Sequence, residues 1–207
     1  MSPRPKGRTS KSDLRGKIIE AAWNQISREG ASALSLRAIA RDLGIAAPSI
    51  YNYFADRDGL VTALILEAYE SLAIYQKAAN DAAPVDDLNA RLISIGKAYR
   101  DWAVTYPQRY LLIFGTPIPG YVAPLDIISP TAASSLSALI SLIERYRIAG
   151  RIRVVEIESQ AIAILIWMRV HGFVSVEITN NLPAIPLNLS KLYEIELKLM
   201  IDQYFLD

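Results

Sequence analysis

Apolar residues recur along this chain at three- and four-residue intervals, and nowhere do they alternate with polar ones over a strand's length, so the pattern predicts an all-α protein. Leu14, Ile18, Ala22 and Ile26 repeat every fourth residue and predict a first helix over 12–29, capped by Ser12 and stopped by Gly30. Leu36, Ile39, Ala40 and Leu43 predict a short second helix with one narrow buried stripe, between a cap at Ser35 and a stop at Gly44. Pro48 suits the first turn of a third helix, where its missing N–H loses no partner; that helix is expected over 47–54, with only Ile50 and Phe54 as anchors. Asp56 then caps a longer helix whose Leu60, Leu64, Ala68 and Leu72 mark its buried side, although Gly59 stands where a full capping box has Glu or Gln.

Beyond about residue 80 the apolar faces lengthen and the loops widen. Helices are expected over 86–105, ended by Pro107, and over 108–114, followed by an irregular Pro- and Gly-rich loop, "GTPIPGYVAP". Pro130 is read as opening a helix through Leu136, Leu139, Ile140 and Ile143 to Gly150. Two long helices, 156–178 and 189–205, close the chain around a loop with Pro183 and Pro186. That makes about nine helices, with no internal repeat.

Composition narrows the function. There is no cysteine and one histidine, His171, so thiolate chemistry and Cys- or His-based metal sites are disfavoured; no cofactor, metal or catalytic residue is expected, and the chain is read as not an enzyme. The net charge of +1 hides an asymmetry: residues 1–57 hold ten Lys or Arg against five Asp or Glu, and the remainder twelve against sixteen. A basic N-terminal quarter points toward a polyanion. Residues 1–11, with Arg4, Lys6, Arg8 and Lys11, read as a flexible basic arm, equally consistent with reaching DNA and with aiding solubility. The N-terminus lacks an apolar stretch of signal-peptide kind, and the most apolar run, 161–168, is cut short by Arg169 and His171; a cytoplasmic protein without a membrane partner is expected.

The third helix has too few apolar residues to bury more than one side. Two helices joined by a tight glycine turn, the second presenting polar and aromatic residues, suit a helix-turn-helix. Its recognition helix needs one face for the core, here Ile50 and Phe54, and small residues near its start for close approach to DNA, here Ala46, Ala47 and Pro48. Tyr51, Asn52 and Tyr53 can then meet phosphates or base edges.

The stretches "SLRAIARDLGI", "PSIYNYF" and "ADRDGL" resemble the tetracycline-repressor-like (TetR) transcriptional regulators, most strongly over residues 14–68. The resemblance implies that Ser35 and Arg37 meet phosphate or a groove edge, that Ala47, Pro48, Tyr51 and Asn52 face the major groove, and that Tyr53 and Arg57 hold the backbone. Tyr53 stands where the family often has His and Arg57 where it often has Lys; Ala47 offers no base hydrogen bond. The plainer account is that Tyr51 and Tyr53 cover the core's edge and that Arg37 and Arg57 are solvated charges.

Residues 99–121, "YRDWAVTYPQRYLLIFGTPIPGY", and 167–173, "WMRVHGF", resemble one C-terminal subtype of that family, marked by a Trp, a His-Gly pair and the Pro-rich loop. This implies a small-molecule pocket and dimerisation through the last two helices. Trp102 and Tyr106, Tyr110 and Phe114, and Trp167 and His171 are i, i+4 pairs suited to line a pocket, though such stripes are also ordinary core. Ala161, Ile164, Leu165 and Met168 form one apolar face of the final pair, and Leu192, Ile195, Leu199 and Tyr204 another, more than a peripheral helix needs.

The expected organisation is an arm (1–11), a helix-turn-helix domain (12–57) and an effector-binding and dimerisation domain (58–207). The reading is a homodimeric repressor that leaves a palindromic site on double-stranded DNA when a small, largely apolar effector shifts the spacing of its heads. The alternatives are a DNA-binding regulator without small-molecule control and a small helical carrier or enzyme.

Overall fold

The computed structural model describes residues 11–182 and 184–206. Among these, ten α-helices follow in order: α1 Lys11–Glu29, α2 Leu36–Asp42, α3 Ala47–Ile50, α4 Arg57–Ala82, α5 Leu88–Thr105, α6 Pro107–Phe114, α7 Leu125–Ser134, α8 Ser137–Ile148, α9 Ser159–Ile178 and α10 Leu189–Tyr204. A 3-10 turn, Ala31–Ala33, joins α1 to α2. The basic arm lies outside the described residues except for Lys11, which is already helical, so Ser12 sits inside the first turn of α1 and not ahead of it.

Two cores share α4. The first gathers Ile18, Ala22 and Ile26 of α1, Ile39 of α2, Ile50, Phe54 and the first half of α4 through Ile65; Ile118 and Ile128 join it. The second begins at Ala68 and Leu72 and takes in α5, α8, α9 and α10. Where α5 meets α10, Tyr193 donates to the carbonyl of Gly96 at 2.7 Å. A Cβ at Gly96 would lie 2.4 Å from the Leu197 side chain, so any larger residue there would force Leu197 to shift.

Three expectations need correction. The third helix is a single turn, 47–50; Phe54 still reaches the core because Tyr53 and Phe54 donate to the Ile50 carbonyl at 3.0 and 3.2 Å, carrying the turn on to residue 54. The helix expected from Pro130 is two helices bent by 49°. Pro130 lies inside α7, and the break comes at residues 135–136, where the Ser134 and Ser135 hydroxyls each donate to a carbonyl three residues back at 2.7 Å and compete with the helical ladder. Finally α9 starts at Ser159, not residue 156, because the Arg147 guanidinium binds the carbonyls of Val155 and Ile157 and the hydroxyl of Ser159, holding that segment out of the helix.

On length and composition α9 could cross a membrane. Its core side packs in the second core through Ile162, Ile166, Val170 and Val174, while Arg169 pairs with Glu196 of α10 at 2.6 Å.

Candidate nucleic-acid interface and aromatic core

The head is assembled from short-range signals. Ser35 caps α2 by accepting from the Ala38 N–H at 3.4 Å, and its own backbone N–H donates to Gln25 Oε1 at 3.1 Å. Gln25, nearly fully buried on α1, also donates to the Ala33 carbonyl and so fixes the approach to α2. Gly44 takes φ 66°, a left-handed conformation that ends α2 and turns the chain into α3. Asp56 caps α4 by accepting from the Gly59 N–H at 2.8 Å.

With Leu36, Ile39, Ile50 and Phe54 inward, Arg37, Pro48, Tyr51 and Asn52 are exposed; Ala47 and Tyr53 are half-buried. Ser35, Arg37, Tyr51 and Arg57 line one surface hollow between the start of α2 and the end of α3. Tyr53 packs against the first core, which gives it a covering role as well as an exposed edge. Arg57 differs from a free phosphate ligand. Its Nε donates to the Leu34 carbonyl at 3.3 Å, and one Nη to the Ala31 and Ser32 carbonyls at 3.3 and 3.2 Å, with Asp58 at 3.8 Å. Those bonds tie α4 to the turn before α2 and give Arg57 a structural role.

Of the six residues proposed for a pocket, four come together. His171 of α9 stacks on Trp167, with centroids 4.8 Å apart, and meets the ring of Phe114 at 4.9 Å and that of Tyr110 at 5.8 Å. The Tyr99 and Tyr110 hydroxyls lie 3.0 and 3.1 Å from His171 Nδ1. Burial lowers the His171 pKa, which favours the neutral ring, and raises those of both tyrosines. Neutral Nδ1 has one lone pair, so the hydroxyls cannot both donate to it; Tyr110 has an alternative acceptor in the His171 carbonyl at 3.5 Å. Trp102 and Tyr106 lie elsewhere. Trp102 is fully buried and donates to Ser71 at 3.0 Å; Tyr106 packs edge-on against Tyr75. Both side chains therefore meet α4, although Tyr106 lies just past the end of α5.

Helix α6 connects the aromatic cluster to the head. Tyr110 and Phe114 join the cluster, whereas Arg109 pairs with Glu67 of α4 at 3.1 Å and lies over Trp23 of α1 at 5.1 Å. Gln108 donates to Ser27 at 3.3 Å. The loop after α6 adds Tyr121, whose hydroxyl is 2.9 Å from that of Thr62. The sequence offered no signal for these contacts, because each joins residues at least 42 positions apart.

Along α9 the exposed residues Ala161, Ile164, Leu165, Met168, Gly172 and Val176 form one stripe; Leu192, Ile195 and Leu199 of α10 are exposed as well. Tyr204 is not part of that face, since it turns into the second core. Gly172 does not serve close packing within the chain, because a Cβ there would meet nothing within 4 Å.

A helix-turn-helix head joined through one long helix to an all-helical aromatic core defines a two-core regulator architecture. The profile for bacterial regulatory proteins of the tetR family matches residues 18–64, and that for the tetracyclin repressor-like C-terminal domain matches residues 92–200. The chain belongs to this family. It is 38% identical over 151 residues to the HTH-type transcriptional regulator Mb1846 of Mycobacterium bovis, a match covering 73% of this chain and 64% of that protein's length. Its fold resembles the crystal structure of SCO4313, with 35% identity, TM-score 0.77, and coverage of 92% of this chain and 96% of that one. A protein of unknown function from Rhodococcus sp. RHA1 shares the fold at TM-score 0.81 and 20% identity, over 98% and 99% of the two chains.

Proposed function

We propose that the chain is a cytoplasmic, DNA-binding transcriptional regulator, a homodimeric repressor whose hold on a palindromic operator is released by a small, largely apolar effector. The observation that carries this is the head: Arg37, Pro48, Tyr51 and Asn52 are exposed together while every apolar residue of α2 and α3 that could support them is buried or half-buried. Arg37 then meets backbone phosphate, Tyr51 and Asn52 meet base edges, and the small side chain of Ala47 lets the helix approach. Arm 1–11, head 12–57 and body 58–207 remain the working division, and a second copy covers the exposed stripes of α9 and α10. Gly172, with open space above it, suits a close crossing of two α9 helices. An effector that displaces the His171 cluster moves Tyr110 and Phe114, and through Arg109 and Gln108 on the same short helix it moves α1 and α4.

The test is selection from a random duplex library followed by gel shift. An inverted repeat should be enriched, and Arg37→Ala with Tyr51→Ala should weaken binding by about a hundredfold or more while sedimentation still reports a dimer. Failure to enrich a sequence, or unchanged affinity in the double variant, would remove the assignment.

One observation favours a second reading. The cavity beside the aromatic cluster holds only about 20 Å³, room for about one water, as expected of a regulator without small-molecule control. A ligand that stabilises the folded dimer in a thermal shift separates the two.

A further inference from the structure

We infer that the effector is a neutral, mainly aliphatic molecule with one hydrogen-bond donor, which passes between Leu136 and Trp167 to donate to Gln76. This deepens the effector reading above and rests on it.

Two hollows meet at these side chains. The inner one is the small cavity, lined by Tyr99, Leu139, Ile166, Val170 and Met200, with Gln76 of α4 at its wall. The outer one holds about 370 Å³ and is lined by Tyr69, Phe114, Ala132, Ala133, Ser135 and Ile164. Leu136 and Trp167 line both, so they form the partition.

Gln76 supplies the chemistry. It is only 4% exposed, and its Oε1 is the one buried side-chain nitrogen or oxygen among the described residues without a hydrogen-bond partner. A buried carbonyl left unpaired is costly, and a ligand's hydroxyl or N–H would complete it. No Lys, Arg, Asp or Glu lines either hollow, so a carboxylate or ammonium would enter without compensation. Apart from Gly96 and Ser135, whose hydroxyl already donates to the Ala132 carbonyl, the remaining lining is aliphatic and aromatic, which fits an alkyl body.

The partition has a joint. Leu136 lies in the 49° break between α7 and α8, outside both regular helices, so its side chain can swing without breaking a helical turn. Trp167 is stacked on His171, and its displacement acts directly on the cluster that α6 reads. Opening the partition therefore joins the two hollows and disturbs the contact leading to the head.

The experiment uses the full chain and n-octanol, octyl methyl ether and octanoate as probes, with binding followed by calorimetry and melting temperature in the absence of DNA. Expected are saturable binding of n-octanol, about tenfold tighter than the ether, and weaker binding of octanoate. Gln76→Leu should bring the alcohol and ether within about twofold of each other, and should itself melt above the unliganded parent. Ala133→Trp, which fills the outer hollow, should abolish binding of all three. Equal affinity for alcohol and ether, or a preference that survives Gln76→Leu, overturns the inference. DNA release is measured separately: Gln76-dependent binding without release supports this site while overturning its control of DNA. Release by n-octanol that persists in Gln76→Leu overturns the site and leaves effector control standing.

Discussion

Around α1, α2 and the first half of α4 the interior is mainly aliphatic, built from Ile18, Ala22, Ile39, Ile50, Leu60 and Leu64 with Phe54 as the one ring among its buried residues, and its buried amide, Gln25, is bonded through both ends. The interior shared by α5, α8, α9 and α10 instead buries Tyr99, Trp102, Tyr110, Tyr146 and Tyr193, and Gln76 beside them has an open carbonyl. An aliphatic core makes no directional demands once filled, so it serves as a frame and leaves recognition to the outer surface. A core with buried hydroxyls and an unpaired amide carries directional groups for which a ligand can compete. The two cores thus divide labour, one facing outward and the other inward, with α4 common to both.

The sharpest way to break this comparison is at Gly96. If the second core is closely interlocked, Gly96→Ala drives a methyl to 2.4 Å from Leu197, which is itself buried and has little room to yield. The expected loss is about 1–3 kcal/mol, or roughly 2–4 °C of melting temperature per kcal/mol for a chain of this size. Leu197→Ala in the same chain should recover part of the loss caused by Gly96→Ala, as a double-mutant cycle would report. Gly172→Ala is the contrast: with open space at its Cβ, it should stabilise the monomer by about 1 kcal/mol through helix propensity. Gly172→Leu should weaken the dimer in sedimentation, and an unaltered dimer would remove Gly172 from the proposed crossing.

Arg57 tests the frame itself. Arg57→Ala deletes bonds to three carbonyls that join α4 to the turn before α2, and is expected to destabilise the chain by about 1–2 kcal/mol. Lys offers one charge in place of a fork, so Arg57→Lys should recover only part of that. Arg57→Ala that leaves the melting temperature unchanged but lowers the salt slope of DNA binding would return Arg57 to the role of a simple phosphate contact.

What the sequence disclosed follows the range of each interaction. The caps Ser35 and Asp56 and the stop at Gly44 act within three or four residues, so spacing alone located them. The i, i+4 pairs did lie on common faces, but spacing does not say which neighbour a face meets, and Trp102 with Tyr106 turned toward Ser71 and Tyr75. The seam at residues 135–136 was hidden because two serines, ordinary helix-surface residues by pattern, compete for carbonyls. Gln25, Gln76 and Gly96 carried no signal: a glutamine's burial and a glycine's closeness depend on elements distant in sequence.

The smallest expected effect is a pH dependence at His171, and it tests whether the inward-facing cluster works as a neutral hydrogen-bonded unit. Burial lowers its folded pKa below the unfolded value of about 6.5, so between the two values the unfolded chain binds more protons. Stability from the neutral ring is therefore fully present above about pH 6.5 and is lost as pH falls through the folded pKa. Because His171 is the one histidine in the chain, no second imidazole blurs the window. His171→Gln keeps an acceptor for the tyrosine hydroxyls but does not titrate there. The melting-temperature difference between parent and His171→Gln should shrink as the solution is acidified from about pH 7 toward about pH 5.5. Parallel curves would mean that the imidazole is equally at ease charged and neutral, and the cluster would then be a solvated rim and not the dry partner that α6 reads.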